Sequence, residues 1–393
     1  MVRQPRISIL MPTHTRVDVI GIAIESVLKQ TVDDFELLVV GDGCAPGTAD
    51  VVAGFRDDRI RFFDLPKAPY FGYANRNIAL REARGRFIGF AADDDILLRD
   101  HFELLIKALG HGAAIAHSQA LWVSTDGIAA PFMTNLEMPD ELSHFMERKN
   151  TIPASCFLYR ADSLPSLDAW PEELPAAADW RLWQRIIREN AKPAVAYCRQ
   201  PTVLHFSAKW KRSRESGMGQ LASMLSIADV ADWWPAELRV QVPSGQPEQQ
   251  AYSDLLNANP EGWTGALRQA TRDLIARLAW DDLQVVRPAL KAAGEKSATM
   301  QAELVAARAE TAARRARVQV AEDGWATADN EVEAGRTKIQ SLNNRLNETA
   351  QESACLAAEV ERLADEVKRM RASLAWRVHE TIERVRWGRN KAS

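Results

Sequence analysis

Between residues 6 and 125, short apolar runs alternate with stretches of helical spacing, and most of the runs stop at a proline, a glycine or an acid. Ile7-Ser8-Ile9-Leu10-Met11 reads as a buried strand halted by Pro12, followed by a helical pattern from about Val17 to Lys29. Phe35 to Val40 predicts a second strand ending at Gly41-Asp42-Gly43, with a helix from about Thr48 to Phe55. Ile60-Arg61-Phe62-Phe63 predicts a third strand, and Asn75 to Arg84 a helix that stops at Gly85. A fourth strand, Phe87 to Ala92, runs into Asp93-Asp94-Asp95. A helix is expected from Ile96 to Leu109 with Asp95 at its cap, then a strand from Ala113 to Val123. Runs this apolar need cover on both faces, and the intervening helices supply it. The expected fold class is therefore α/β, with a Rossmann-like, mostly parallel sheet.

The rest of the 393 residues is less regular at first. Ala154 to Tyr159 and Ala194 to Cys198 predict strands, Ala177 to Asn190 predicts a helix, and residues 216–290 read as mixed helices punctuated by prolines. The formal net charge of -4 gives no global pull towards nucleic acid, so no such partner is expected. The four cysteines, Cys44, Cys156, Cys198 and Cys355, have no metal-ligand spacing and are too few for a disulfide framework, which suggests a reducing, cytoplasmic setting. No stretch is apolar enough to span a bilayer, and no leader peptide is expected.

After Pro288 the chain has no proline, and the spacing becomes heptad. Ile339, Leu342, Leu346, Thr349, Ser353, Leu356, Val360, Leu363, Val367, Met370 and Leu374 alternate by three and four, and a weaker register extends back through Val332, Ala328, Trp325 and Ala321 to Val318. This predicts a coiled coil that joins copies of the chain through residues 295–375 as a parallel homo-oligomer. The end of the chain is basic, with Arg377, Arg384, Arg386, Arg389 and Lys391 interleaved with Trp376, Val378, Ile382, Val385 and Trp387. Such a stretch, over residues 373–393, is expected to rest on an anionic membrane surface, the inner face of the membrane, or on a membrane-bound partner. The expected domains are 1–215 (catalytic), 216–290 (helical), 291–375 (coiled coil) and 376–393 (basic amphipathic tail).

Carboxylates crowded past the end of a buried strand repel one another unless a cation neutralises them. Hard oxygen ligands of this kind suit Mg²⁺ or Mn²⁺ together with phosphate oxygens. In open α/β sheets ligands collect at the carboxyl ends of strands. Asp93, Asp94 and Asp95 thus suggest a metal-bridged phosphate ligand. Asp42 ends the second strand in the same way, so that one of the two acidic positions could accept a nucleobase N–H while the other handles metal and phosphate. Thr13 would line the same crevice, and Arg76 and Asn77 are candidates for a diphosphate.

These pieces resemble the family-2 glycosyltransferases, whose nucleotide-sugar-binding fold is of the GT-A type. The matching segments are Ser8 through Arg16, Ser26 through Thr31, Phe35 through Gly43, Asn75-Arg76-Asn77, Ala83 through Ile88 and Asp93-Asp94-Asp95. Thr15, Gly41 and His14 depart from the family's common residues. The resemblance implies that Pro12, Thr13, Arg16, Asp42, Arg76, Asn77 and Asp93 contact the donor, with Asp42 on the base and Asp93 near the ribose and sugar. It implies Asp94 and Asp95 at a diphosphate-bound Mn²⁺ or Mg²⁺, with His205 completing the metal shell from a closing loop that includes Lys209, Lys211, Arg212 and Arg214. It implies Asp179 as the base that deprotonates the acceptor; the same residue also suits a helix N-cap. Trp180 would offer a flat face to an acceptor sugar, while Trp183 reads as helix packing. The expectation is an inverting, metal-dependent glycosyltransferase. Its donor would be a UDP-, GDP- or dTDP-sugar and its acceptor a glycan or lipid-linked glycan, with a place in bacterial cell-surface polysaccharide assembly. The alternatives are a sugar nucleotidyltransferase, whose Gly-rich N-terminal loop is missing here, and a non-enzymatic coiled-coil scaffold.

Overall fold

The computed structural model describes residues 4–110, 112–164, 166–206, 219–323 and 329–370. One compact unit spans Met1–Leu274 and a second spans Ile275–Ser393.

In the first unit, β1 (Ile7–Thr13), β2 (Phe35–Asp42), β3 (Ile60–Leu65) and β4 (Phe87–Phe90) pair in parallel in the order β3-β2-β1-β4. Their crossovers carry α1 (Ile20–Leu28), α2 (Thr48–Gly54) and α3 (Tyr73–Arg81). Every residue of β2 is buried, as a strand covered on both faces must be. Where the amino ends of these strands meet, Glu36 on β2 accepts from Ser8 Oγ (2.6 Å), Arg84 N (2.7 Å) and the Arg84 guanidinium (2.7 Å). Burial alone would raise the Glu36 carboxyl; these bonds hold it below its ordinary value. Gly85 is required beside them, because a Cβ there would lie 2.3 Å from the Ser8 nitrogen. The sequence reads Gly85 as the stop of α3; the helix ends at Arg81, and the glycine serves this close approach to β1.

Past β4 the sheet becomes mixed. The further strands are β5 (Ile96–Leu97), β6 (Ile115–Val123), β7 (Ala129–Phe132), β8 (Phe157–Arg160) and β9 (Val195–His205), and the helices are α4 (His101–Leu109), α5 (Pro139–Glu147) and α6 (Ala178–Glu189). β8 lies antiparallel between β4 and β6, β9 runs parallel to β6, and β5 pairs antiparallel with β9. The helix expected from Ile96 is corrected here. Ile96 and Leu97 pair with Leu204 and Val203, and α4 opens only at His101 after Asp100. Asp95 is therefore not a helix cap and is available for other bonds.

Three more helices fold with the sheet: α7 (Gly219–Val230), α8 (Glu248–Ala258) and the first turns of α9 (Pro260–Asp323). Arg268 on α9 grips Asp100 with both terminal nitrogens (2.7 and 2.8 Å) and donates through Nε to the Pro201 carbonyl (3.1 Å). Tyr252 on α8 donates to the Gly127 carbonyl at 2.8 Å. The unit thus extends to Leu274, beyond the boundary near 215 expected from sequence.

The second unit is built from the rest of α9 and from α10 (Asp329–Met370). All seam positions from Ile339 to Val367 are buried or half-buried, as the heptad spacing requires. A Cβ on Gly335 would lie 3.0 Å from Val318 Cγ2, and Arg315 Nη2 donates to Asn343 Oδ1 at 3.4 Å. Within the chain, the seam of α10 therefore faces α9 in an antiparallel pair, an arrangement the heptad spacing did not announce. Of the weaker backward register, Trp325 and Ala328 lie outside the described residues. Among the described residues no helix is long and apolar enough to cross a membrane. The expected basic tail lies outside the described residues.

Candidate active site

The carboxyl ends of β1, β2 and β4 open on one side of the sheet, at the point where the chain passes from one side of β1 to the other. A cavity of about 330 Å³ lies there, lined by Pro12, Thr13, Arg16, Asp42, Arg76 and Asp93, among others. Six of the seven residues expected to touch the donor thus share one wall. The seventh, Asn77, is corrected. It is fully buried, and its amide is spent on the Trp170 backbone (2.9 Å both ways) and on Glu172 Oε1 (2.8 Å). It ties α3 to a loop rather than lining the cavity.

Asp42 is held by the chain's own donors. Lys67 Nζ reaches Oδ2 at 2.6 Å, while the Ala68 N–H (2.7 Å) and Asn75 Nδ2 (2.8 Å) reach Oδ1. A carboxylate has about four acceptor sites, so roughly one is left for a ligand. Gly72, at φ 73°, packs so close that a Cβ would meet the Asp42 carboxyl carbon at 2.5 Å. Lys67 and Asn75, with the exposed rim residues Tyr70 and Phe71, belong to the site and were not assigned from sequence. Lys67 follows the third strand as Asp42 follows the second, and that position was the available signal.

The three aspartates divide their bonds. Arg16 Nη1 meets Asp94 Oδ2 at 2.5 Å and its Nε stands 3.8 Å from Asp93. Burial raises the Asp93 carboxyl, against the Thr13 hydroxyl and Arg16. Burial and repulsion by Asp95 push Asp94 up to about 7, although Arg16 and His205 pull the other way. Asp95 differs. Burial opposes its charge, yet bonds from His205 Nδ1 (2.8 Å), Ser155 Oγ (2.5 Å) and the Phe206 N–H (3.3 Å) keep it below its ordinary value. His205 ends β9, with the Trp122 ring edge-on at 4.5 Å. The basic residues expected beyond it, from Lys209 to Arg214, lie outside the described residues.

Among the described residues no three His, Cys, Asp or Glu side chains converge as a metal cage. A Mg²⁺ or Mn²⁺ ion that binds with a nucleotide does not need one; one or two carboxylates suffice, with phosphate and water for the rest. Asp94 fits that pattern. It is a buried carboxylate, 6% exposed and paired with Arg16 at 2.5 Å, beside a cavity whose wall carries Arg16 and Arg76.

Asp179 lies in the first turn of α6, one residue past its start, with Ala177 in the capping position at φ 59°. It is therefore not the N-cap. Burial raises its carboxyl, opposed by the Trp180 N–H and by Arg76. Arg76 stacks over Tyr73 (5.0 Å) and Trp170 (4.6 Å), and its Nε has no hydrogen-bond partner among the described residues. This guanidinium lies on the cavity wall, and its charge acts on Asp179. Trp180 is half-buried: its indole N–H donates to the Phe145 carbonyl at 2.7 Å and its ring meets Phe145 of α5 edge-on. Trp183 is fully buried, stacked on Phe157 at 4.7 Å, as expected of core. Gln249 on α8 also reaches the site; it is 1% exposed, with Nε2 at 3.5 Å from the Asp94 carbonyl.

A parallel half-sheet with a cavity at its carboxyl ends, Asp42 and Asp93 on the wall and two more aspartates just behind, is an arrangement suited to a nucleotide-sugar ligand. Residues 8–165 match the family described as glycosyl transferase family 2, and this domain of the chain is a family-2 glycosyltransferase domain. The chain is 29% identical over 190 residues to the Escherichia coli UDP-Glc:alpha-D-GlcNAc-diphosphoundecaprenol beta-1,3-glucosyltransferase WfgD, covering 48% of this chain and 72% of that protein. It is 30% identical over 142 residues to the Campylobacter jejuni GalNAc(5)-diNAcBac-PP-undecaprenol beta-1,3-glucosyltransferase, covering 35% of this chain and 46% of that one. The crystal structure of S. aureus TarS 1-349 in complex with UDP-GlcNAc is a more distant likeness. It has a TM-score of 0.44 and 17% identity, over 69% of this chain and 80% of that one.

Proposed function

We propose that this chain is an inverting, metal-dependent glycosyltransferase. It moves a sugar from a nucleoside diphosphate donor to a lipid-linked glycan. One observation carries the reading: Asp42, Arg76 and Asp93 line one cavity, and the charge of Arg76 also acts on the buried carboxylate of Asp179. Donor groups and a proton acceptor thus meet around one cation. A UDP-sugar is the first donor to test, since one relative is named for UDP-Glc, and both relatives are named for acceptors linked to undecaprenol through a diphosphate.

In this reading Asp42 and Lys67 face the base, and Thr13 and Asp93 the ribose and sugar. Arg16 and Arg76 face the diphosphate. Asp179 takes the proton of the acceptor hydroxyl as its oxygen bonds to the anomeric carbon and the bond from that carbon to the diphosphate breaks. A divalent cation, held by Asp94 with His205 near it, supplies Lewis-acid stabilisation of the leaving diphosphate when bound.

The test is incubation of the full chain with UDP-, GDP- and dTDP-sugars, Mn²⁺ and an undecaprenol-diphosphate glycan, followed by nucleotide release. Transfer is expected with one donor, and Asp94→Ala is expected to abolish it. No acceptor-dependent release with any donor would sink the proposal. Nucleotide affinity that is equal with and without EDTA in calorimetry would sink its metal dependence.

A further inference from the structure

Asp95 stands in the acidic triplet with donors of its own chain on both oxygens. Ser155 Oγ donates to Oδ2 at 2.5 Å. His205 Nδ1 lies 2.8 Å from Oδ1, and the Phe206 N–H 3.3 Å from the same oxygen. Both Ser155 and Asp95 are almost wholly out of solvent, at 0% and 2% exposure. Ser155 is itself held in direction: its oxygen accepts from the Ala92 N–H at 2.9 Å, so its proton is committed to Asp95. The hydroxyl therefore bridges the end of β4 and the third aspartate, from a short helical turn that precedes β8.

We infer that Ser155 is a positioning residue. It fixes Asp95, and Asp95 fixes the imidazole of His205 by its Nδ1, so that Asp95 acts behind the cation site and Asp94 in front of it. The inference rests on the proposed metal-dependent reading and assigns the roles within it. A carboxylate that orients a ligating imidazole sets the tautomer and angle of the ring, and its loss costs metal sites about 10–100-fold in affinity. The structural alternative is that Ser155 merely fills a buried polar hole. That alternative ties Ser155 to stability and leaves cation-dependent binding untouched.

Binding of UDP, GDP and dTDP to the full chain, in Mn²⁺ and in EDTA, separates these by calorimetry without turnover. Ser155→Ala is expected to weaken the Mn²⁺-dependent affinity of whichever nucleotide the wild type binds by about tenfold, and to leave the EDTA affinity unchanged. Asp95→Asn should weaken it at least as much. The double variant should match Asp95→Asn alone, because Ser155 works through that carboxylate. Thermal melts of each variant report folding. Unchanged Mn²⁺-dependent affinity in Ser155→Ala, or losses that add in the double variant, overturns the relay alone. Wild-type binding that ignores Mn²⁺, or no binding of any of the three nucleotides, overturns the metal-dependent reading and the relay with it.

Discussion

Asp179 and Arg76 show how one residue's environment sets another's chemistry. Burial raises the Asp179 carboxyl, so at neutral pH it is a stronger proton acceptor than an ordinary aspartate, while the Arg76 cation limits the rise. The acid limb of turnover at saturating substrate should therefore lie above the ordinary carboxylate range. Arg76→Gln removes the charge that favours ionised Asp179 and should move that limb to higher pH. Asp179→Asn should remove the limb and lower turnover by about 10²–10⁴-fold, with the melting temperature little changed. A limb that stays in place in Arg76→Gln, or near wild-type turnover in Asp179→Asn, would assign the base elsewhere. The residues legible in the sequence were those at strand ends: Thr13, Asp42 and Asp93 to Asp95 lie where their runs stop. The bonds that take Asn77 away from the cavity and hold the Trp180 indole were not legible, because their partners, Trp170 and Phe145, are distant in sequence and local spacing does not reveal them.

At the scale of elements, the parallel half of the sheet was legible because each of its strands carries a short, mostly apolar run that stops at a proline, a glycine or an acid. The mixed half was not. β5 is two residues long and pairs with β9 more than a hundred residues later, so no periodicity announces it. The helices after β9 were read as a separate region, yet α8 brings Gln249 to the Asp94 carbonyl. Gln249 Oε1 is buried with no hydrogen-bond partner among the described residues. An unsatisfied buried oxygen of that kind costs about 1–3 kcal/mol, so folding alone would favour an apolar side chain of similar volume. Gln249→Met should therefore leave the melting temperature equal or higher while turnover falls several-fold. A parallel fall of both would make Gln249 a packing residue and remove α8 from the site.

At the scale of the whole molecule, the second unit resolves a weakness in the heptads. Thr349 and Ser353 interrupt an otherwise apolar seam, and a parallel pairing of copies would set each against itself across a gap. The described part of α9 has its own seam at the same spacing: Ser297, Met300, Leu304, Ala307, Thr311, Arg314 and Val318 are all buried or half-buried. Carried along antiparallel helices from the Val318–Gly335 contact, the register sets Thr311 opposite Leu342, Ala307 opposite Leu346, Leu304 opposite Thr349 and Met300 opposite Ser353. Large faces small at each step, and Thr311, Leu342, Met300 and Ser353 are among the most buried residues of the pair. The small polar residues that weaken α10 as a partner for itself make it fit α9, which is specificity by mismatch against the wrong pairing. The approach of Val318 to Gly335 puts their Cβ atoms within the ~3.5–4.5 Å range of a disulfide. Val318→Cys with Gly335→Cys, in a chain where exposed Cys355 is replaced by serine, should therefore oxidise within one chain. On a non-reducing gel the expected product is a monomer of altered mobility that reverts on reduction. A covalent dimer as the main product would mean that the seam joins two copies, as the heptads alone suggested.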